Sequence, residues 1–194
     1  MTTEVVEPVL QNRQALANYF TLSRFAQDAE IDMDDGIYAR TLLERNAQLK
    51  LIAVDPWDAG GGNRRGEESF VATYTALAQF IQLERVDILR MSSQDAATLF
   101  ADGALDFVFI DAAHDYDSVS QDIALWAPKV RAGGIVSGHD YYTVKNGPVK
   151  SGVMRAVDEY VASHGIDLQT TPWDRRNPDR DSRQPCWWFW RGVS

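Results

Sequence analysis

The chain alternates short apolar segments with longer segments of helical periodicity, and this alternation limits its fold more than any other feature. Five apolar runs are predicted as strands: AEI (29–31), LIAVD (51–55), VDILRM (86–91), LDFVFID (105–111) and GGIVSG (133–138). Several are apolar on both faces, which is typical of central parallel strands because helices cover both sides. The pattern therefore predicts an α/β fold with a mostly parallel sheet.

Helical periodicity fills the segments between these strands. Helices are predicted near residues 9–27 and over 36–46, 69–83, 92–102, 117–130 and 153–165. Two further strands are predicted near 166–170 and over the tryptophan-rich 184–193. Right-handed crossovers then favour a Rossmann-like, doubly wound sheet with helices on both faces. Ligands of such sheets bind outside the carboxyl ends of the strands, so the strand ends are where functional residues are expected.

Length and charge narrow the class of protein. The 194 residues are expected to form one domain, 1–194, because typical domains contain roughly 100 to 200 residues. The net charge of -9 argues against a nucleic-acid partner, and the sequence has no long apolar run for a membrane span. The start resembles no secretory signal, so a cytoplasmic location is expected. The single cysteine, Cys186, is interpreted as part of a core strand.

The fourth and fifth strands both end in acidic residues and histidines. Asp111 and His114 follow the fourth strand, and His139 and Asp140 follow the fifth. Carboxylate oxygens with an imidazole nitrogen suit a divalent ion such as Mg²⁺ or Mn²⁺. The alternative interpretation is a pair of helix caps within a structural hydrogen-bond network.

Weaker signals follow the second and third strands. Asp55 ends the second strand, where an acidic side chain can accept hydrogen bonds from both hydroxyls of a ribose. It could equally cap that strand before Pro56. After the third strand, serine is a good helix cap, so capping alone explains the segment that includes Ser93 and Gln94.

Three segments carry a family resemblance: LDFVFIDAAHDY (105–116), APKVRAGGIVSGHDY (127–141) and SSQDAA (92–97). They resemble class I S-adenosylmethionine-dependent methyltransferases, in particular the metal-dependent small-molecule O-methyltransferases similar to catechol and macrolide-sugar O-methyltransferases. The resemblance covers about 28–193. It implies S-adenosylmethionine and a divalent metal, with Mg²⁺ expected first, and a C-terminal antiparallel strand supplied by WWFW.

The resemblance also implies roles for individual residues. It places the cofactor ribose at Asp55 and the adenine beside Ser93 and Gln94. The full set of cofactor-binding positions is Glu30, Asp32, Gly36, Asp55, Ser93, Gln94 and Asp111. The implied metal ligands are Asp111, His139 and Asp140. His114 is the implied general base, since a histidine near neutral pH can take a proton from a hydroxyl.

One position departs from the family pattern. Relatives carry E-x-G-x-x-x-G after the first strand, and here the segment from Glu30 to Gly36 has Asp32 in place of the first glycine. The leading hypothesis is O-methylation of a small hydroxylated molecule. The alternatives are a non-catalytic or regulatory binding protein on the same fold and another metal-dependent enzyme, such as a hydrolase or hydroxylase.

Substrate specificity is expected from the N-terminal helix and from the loops 57–69 and 173–183. Aromatic and arginine side chains there could face an acidic or planar acceptor, although a solvated loop face is the favoured interpretation of the arginines. These are Arg175, Arg176, Arg180 and Arg183. The sequence leaves both a monomer and a homo-oligomer open.

Overall fold

A computed structural model describes residues 10–57, 66–111, 113–143, 152–179 and 182–192. The strands are β1 (Gln27–Ile31), β2 (Lys50–Val54), β3 (Val86–Leu89), β4 (Leu105–Ile110), β5 (Val130–Gly138), β6 (Gln169–Thr170) and β7 (Trp187–Trp190). The helices are α1 (Arg13–Leu22), α2 (Ile37–Arg45), α3 (Gly66–Gln82), α4 (Ser93–Ala97), α5 (Tyr116–Trp126) and α6 (Val153–His164). A 3-10 turn, Ala127–Lys129, leads from α5 into β5.

All seven strands join one sheet in the order β3-β2-β1-β4-β5-β7-β6. The first five are parallel, and β7 runs antiparallel to both of its neighbours. The predicted α/β class, the doubly wound sheet and the antiparallel C-terminal strand are therefore confirmed. The strand order reverses between β1 and β4, and a crevice for ligands forms outside the carboxyl ends of the strands at such a point.

Some predicted element bounds were wrong. The predicted helix at 9–27 begins only at Arg13, because Asn12 caps it by accepting a hydrogen bond from the Ala15 amide. Residue 9 lies outside the described part of the chain. Strand β5 begins at Val130, before the glycine pair at which it was predicted to start. Inside the strand, position 134 has to be glycine, because a Cβ there would lie only 2.3 Å from the Asp106 carbonyl oxygen.

Apolar side chains fill both faces of the sheet. On one face, Phe20 from α1 stacks on Phe107 of β4, with ring centroids 3.9 Å apart. On the other face, Trp126, Trp187 and Phe189 pack among α4, α5 and α6. Cys186 is buried on the first face, and burial raises the pKa of its thiol, as expected of an unreactive core residue. Among the described helices, none is both long enough and apolar enough to cross a membrane.

Asp106 ties the start of β1 to the edge of β5. Its carboxylate accepts hydrogen bonds from the amides of Ala26 and Gln27, at 2.7 and 3.0 Å, and from Arg131 Nε at 2.6 Å. Burial raises the pKa of Asp106, but these donors outweigh it and leave the pKa below its ordinary value. The charged carboxylate therefore stabilises the fold above the unfolded pKa, about 3.9. That stability is lost as the pH falls through the lower, folded pKa.

We expect Asp106→Asn to lower the free energy of unfolding by about 1 kcal/mol at pH 7, because one charged acceptor loses its strength at a partly exposed site. Urea denaturation at pH 7 and at decreasing pH measures the effect, and the gap to the native chain should narrow below about pH 4. The control is Asp102→Asn, whose exposed carboxylate accepts from Lys129 Nζ at 2.8 Å. An equal loss of stability in both variants would contradict the assignment.

Candidate active site

A cavity of about 200 Å³ opens beside the carboxyl ends of β1, β4 and β5, at the point where the strand order reverses. Among the described residues that line it, six carry carboxylates: Glu30, Asp32, Asp34, Asp35, Asp111 and Asp140. One arginine, Arg13, and two histidines, His114 and His139, share its walls. The cavity is therefore strongly acidic and suits a cationic ligand.

The turn after β1 forms one wall of this cavity. Asp32 has φ 62° and Gly36 has φ 75°, both in the left-handed region that favours glycine. Aspartate tolerates this region better than most residues do, so Asp32 keeps the backbone conformation that a glycine would take. Its amide donates to the Val54 carbonyl at 2.8 Å. The turn is thus formed despite the missing glycine, with an added carboxylate on the cavity wall.

Asp55 anchors this turn from β2. Its side chain is 1% exposed and accepts hydrogen bonds from the amides of Asp34 and Trp57, at 3.1 and 2.7 Å. The Asp34 carbonyl in turn accepts from Trp57 Nε1 and Thr73 Oγ1. A Cβ on Gly36 would lie 3.2 Å from Thr73 Cγ2, so a larger residue there would require Thr73 to shift, in addition to the strain of the positive φ. The ribose role of Asp55 stays a prediction, since both carboxylate oxygens already hold the turn.

Glu30 lies on β1 at the inner end of the cavity. It is 1% exposed, and its Oε2 has no hydrogen-bond partner among the described residues. Burial, together with the charge of Asp111, raises the pKa of Glu30 well above its usual range. A buried polar atom without a partner costs free energy, and a ligand that donates a hydrogen bond would remove that cost.

Asp111, His139 and Asp140 form a compact group of acidic and imidazole ligand atoms. His139 Nδ1 lies 3.5 Å from Asp111 Oδ1 and 3.4 Å from Asp140 Oδ1. One ligand atom from each residue lies within 4.8 Å of the others, which is close enough for a single ion. Asp140 Oδ1 is buried and has no hydrogen-bond partner among the residues that the structure describes. The predicted metal ligands are therefore brought together, and their donor set fits a divalent cation.

His114 stands beside this group and faces the cavity. Its Nε2 pairs with Asp140 Oδ2, and the side chain is 43% exposed. The hydrogen bond that His114 donates to Asp140, together with the charges of Asp140 and Asp111, outweighs burial and raises the pKa of His114. Its carbonyl accepts from the Gly152 amide at 2.7 Å, which fixes the residue at the start of α6. An imidazole held in this way can exchange a proton with a ligand in the cavity.

Sequence reasoning missed Arg13. This side chain comes from α1, is 4% exposed, and lies over the Tyr38 ring at 5.2 Å. Its guanidinium is 4.0 Å from Asp111 Oδ2, and its Nε donates to Ser182 Oγ at 3.1 Å. A single arginine on an amphipathic helix carries no local signal of a place beside the cavity, because its side-chain polar partners, Asp111 and Ser182, are about a hundred residues or more away along the chain.

Ser93 and Gln94 are not brought to the cavity. Ser93 Oγ donates to Asp122 and accepts from Trp126 Nε1 at 2.9 Å. Gln94 Nε2 donates to Gln121 Oε1 at 3.0 Å on the surface. All three contacts join α4 to α5, so the adenine role of these two residues stays a prediction.

The sequence itself identifies the family. Residues 34–141, more than half of the chain, match a family model described as a methyltransferase domain. The chain belongs to this methyltransferase family. The match begins inside the turn after β1 and ends just past Asp140, so it spans four of the five parallel strands and the metal-ligand group. A comparison with curated proteins found no match to the sequence of this chain.

Solved structures share the fold of the methyltransferase. An O-methyltransferase from Bacillus cereus, crystallised with SAH, has a TM-score of 0.68 and 12% identity, covering 97% of this chain and 83% of that one. An O-methyltransferase of tomaymycin synthesis from Streptomyces achromogenes, crystallised with SAM, has a TM-score of 0.67 and 14% identity, covering 92% and 79%. These likenesses show the class I methyltransferase fold, as the resemblance in the sequence implied.

Proposed function

We propose that the protein is an S-adenosylmethionine-dependent O-methyltransferase that modifies a hydroxyl group of a small molecule with the help of a divalent metal ion. The observation that carries this proposal is the group formed by Asp111, His139 and Asp140, with His114 beside it on the same cavity. A metal site next to a titratable histidine can promote deprotonation of an acceptor hydroxyl.

The charge of the cavity supports a cationic cofactor. S-adenosylmethionine carries a positively charged sulfur and an ammonium group, and the cavity presents six carboxyl groups against one arginine and two histidines. When bound, the cofactor supplies an activated methyl group. Glu30, whose Oε2 has no hydrogen-bond partner among the described residues, offers a hydrogen-bonding position at the inner end, and the adjoining wall is formed by the turn residues 32–35. Asp32 and Gly36 are thus proposed to border the amino-acid end of the cofactor.

Asp111, His139 and Asp140 are the residues that would hold the metal ion. Two carboxylates suit Mg²⁺ or Mn²⁺, and of these two ions Mn²⁺ accepts an imidazole ligand more readily than the harder Mg²⁺. When bound, the ion lowers the pKa of a hydroxyl that it coordinates. The chain then has to hold that hydroxyl close to His114 and in line with the methyl group, since orientation contributes much of the rate of a displacement reaction.

His114 is proposed to accept the proton from the acceptor hydroxyl. Asp140 fixes the orientation of the imidazole, because one of its oxygens pairs with His114 Nε2 while the other faces His139. The exposure of His114 leaves its ring accessible to a ligand in the cavity. Asp140 therefore links the proposed base to the proposed metal site.

Titration calorimetry with S-adenosylhomocysteine tests the proposal. We expect binding at micromolar to millimolar concentration in the presence of Mg²⁺ or Mn²⁺. A methyl-transfer assay on a panel of small catechols and sugars should then show turnover that chelation of the metal with EDTA removes. Absence of calorimetric binding at millimolar S-adenosylhomocysteine, with and without metal, would overturn the proposal.

Asp140→Asn tests binding of the metal ion separately from binding of the cofactor. The variant should retain cofactor binding within about threefold, while the Mn²⁺ affinity measured by electron paramagnetic resonance falls by at least tenfold, because a charged ligand is lost. The matched control is Asp158→Asn, whose carboxylate accepts from Tyr141 Oη at 2.5 Å outside the cavity. Equal Mn²⁺ affinity in all three proteins would contradict the metal assignment.

A second candidate function is a non-catalytic binding protein, and the side chain of Asp32 is the observation that favours it. Its carboxylate lines the cavity, on the turn that is proposed to border the amino-acid end of the cofactor, which itself carries a carboxylate. Repulsion between the two would weaken cofactor binding. A native chain that binds no S-adenosylhomocysteine but gains binding on replacement of Asp32 would favour this second function.

A further inference from the structure

A second depression adjoins the acidic cavity and has a different character. It encloses about 500 Å³, and its walls include Tyr142, Trp173 and Arg175. Trp173 is 45% exposed, and its ring lies 5.1 Å from that of Tyr142, centroid to centroid. The Arg175 guanidinium lies 5.5 Å from the centre of the Trp173 ring. We call this depression the aromatic groove.

The aromatic groove begins where the proposed metal site ends. Tyr142 follows Asp140 by two residues, and its amide donates to the Asp140 carbonyl at 2.7 Å. The two linings are also consecutive along the chain, because Tyr141 and Pro185 line the aromatic groove while Asp140 and Gln184 line the acidic cavity. A molecule in the groove can therefore reach the proposed metal and base with one end.

The far side of the aromatic groove is held in place by contacts of Asp174. Its amide donates to the Arg183 carbonyl at 3.0 Å, and its Oδ2 accepts from Asn12 Nδ2 and Asn177 Nδ2, both at 3.0 Å. Since Asp174 lies between Trp173 and Arg175 in sequence, these contacts fix the backbone from which both side chains project. The exposed tryptophan therefore stands on an anchored turn, and not on a loosely held loop.

Arg175 gives the aromatic groove a charge opposite to that of the acidic cavity. The side chain is exposed and makes no ion pair with any residue that the structure describes. An arginine above an aromatic face can recognise a carboxylate while the ring stacks on a planar group. Its exposure agrees with the sequence-based interpretation of a solvated loop residue, and its place on the wall of the groove allows a further role there.

We propose that the aromatic groove binds the methyl acceptor and selects a planar aromatic molecule with an acidic substituent opposite the hydroxyl to be methylated. Arg175 holds the acidic end, Tyr142 and Trp173 contact the ring, and the hydroxyl end points toward Asp140 and His114. The acidic cavity repels the charged substituent, so the charge pattern also sets the orientation of the acceptor. This inference rests on the proposed function, because it names the substrate class of that site.

The test compares two probes that differ by one carboxylate, 3,4-dihydroxybenzoate and catechol. Their dissociation constants are measured by ligand-observed NMR titration with Mg²⁺, with and without S-adenosylhomocysteine. We expect 3,4-dihydroxybenzoate to bind at least fivefold more tightly than catechol. Arg175→Gln should remove this preference, whereas the control Arg176→Gln, also exposed but outside the groove, should retain it. Trp173→Leu should weaken both probes by about fivefold or more.

Two outcomes would overturn the inference: equal affinity of the native chain for both probes, or an equal effect of the Arg175 and Arg176 substitutions. Because the readout is acceptor binding, it is separable from cofactor binding. A carboxylate preference that depends on Arg175 in a chain that binds no S-adenosylhomocysteine would support the aromatic groove and refute methyl transfer. Cofactor binding without any preference between the probes would refute the groove alone.

Discussion

Replacing Asp32 by glycine should raise the affinity for S-adenosylhomocysteine about tenfold or more. The carboxylate of Asp32 lies on the cavity wall, and two like charges a few ångströms apart repel each other by about 1 to 2 kcal/mol in a partly solvated site. The same substitution should raise the free energy of unfolding by about 1 kcal/mol, since Asp32 has φ 62° and glycine adopts that conformation without strain. Calorimetry and urea denaturation measure the two effects.

Two further variants separate charge from backbone strain. Asp32→Asn removes the charge and keeps a side chain that tolerates the left-handed region, so it should recover most of the affinity and little of the stability. Glu84→Gly relieves a similar φ of 54° far from the cavity, so it should raise stability and leave affinity unchanged. Unchanged affinity in Asp32→Gly would mean that the cofactor does not meet this side chain, and the repulsion argument would fail.

The sequence predicted the sheet and the metal-ligand group because both follow from local patterns. Apolar runs identify parallel strands, and parallel strands present their carboxyl ends at the same edge of the sheet. Residues directly after two neighbouring strands must then lie close together. That reasoning brought Asp111 and His114 to His139 and Asp140, and the distances between them agree with it.

Contacts between distant segments could not be predicted in the same way. Arg13 reaches Asp111 only because α1 folds back over the sheet, and nothing in the helical pattern of α1 distinguishes that arginine. The aromatic groove likewise needs Tyr142 and Trp173 to meet across a loop whose path depends on Asp174. The left-handed conformation of Asp32 could not be predicted from the sequence either, because an aspartate permits this conformation without requiring it.

Replacing His114 by glutamine should lower kcat for methyl transfer about 10²- to 10⁴-fold, the usual contribution of a general base. Glutamine can still hydrogen-bond to Asp140, but its neutral amide cannot take a proton near neutral pH. Because the side chain is 43% exposed, the substitution should leave the free energy of unfolding within about 0.5 kcal/mol of the native value. Steady-state kinetics with saturating metal should show KM for the acceptor changed far less than kcat.

His164→Gln is the matched control for that measurement. This histidine ends α6, where its ring stacks on Tyr160 at 4.2 Å and its Nδ1 lies 2.8 Å from the Tyr160 carbonyl oxygen, outside the cavity. Its loss should leave kcat unchanged. An unchanged kcat in His114→Gln as well would show that metal coordination alone lowers the pKa of the hydroxyl far enough, and His114 would then be a residue that positions Asp140. A fall in kcat confined to His114→Gln would instead place the proton on that imidazole.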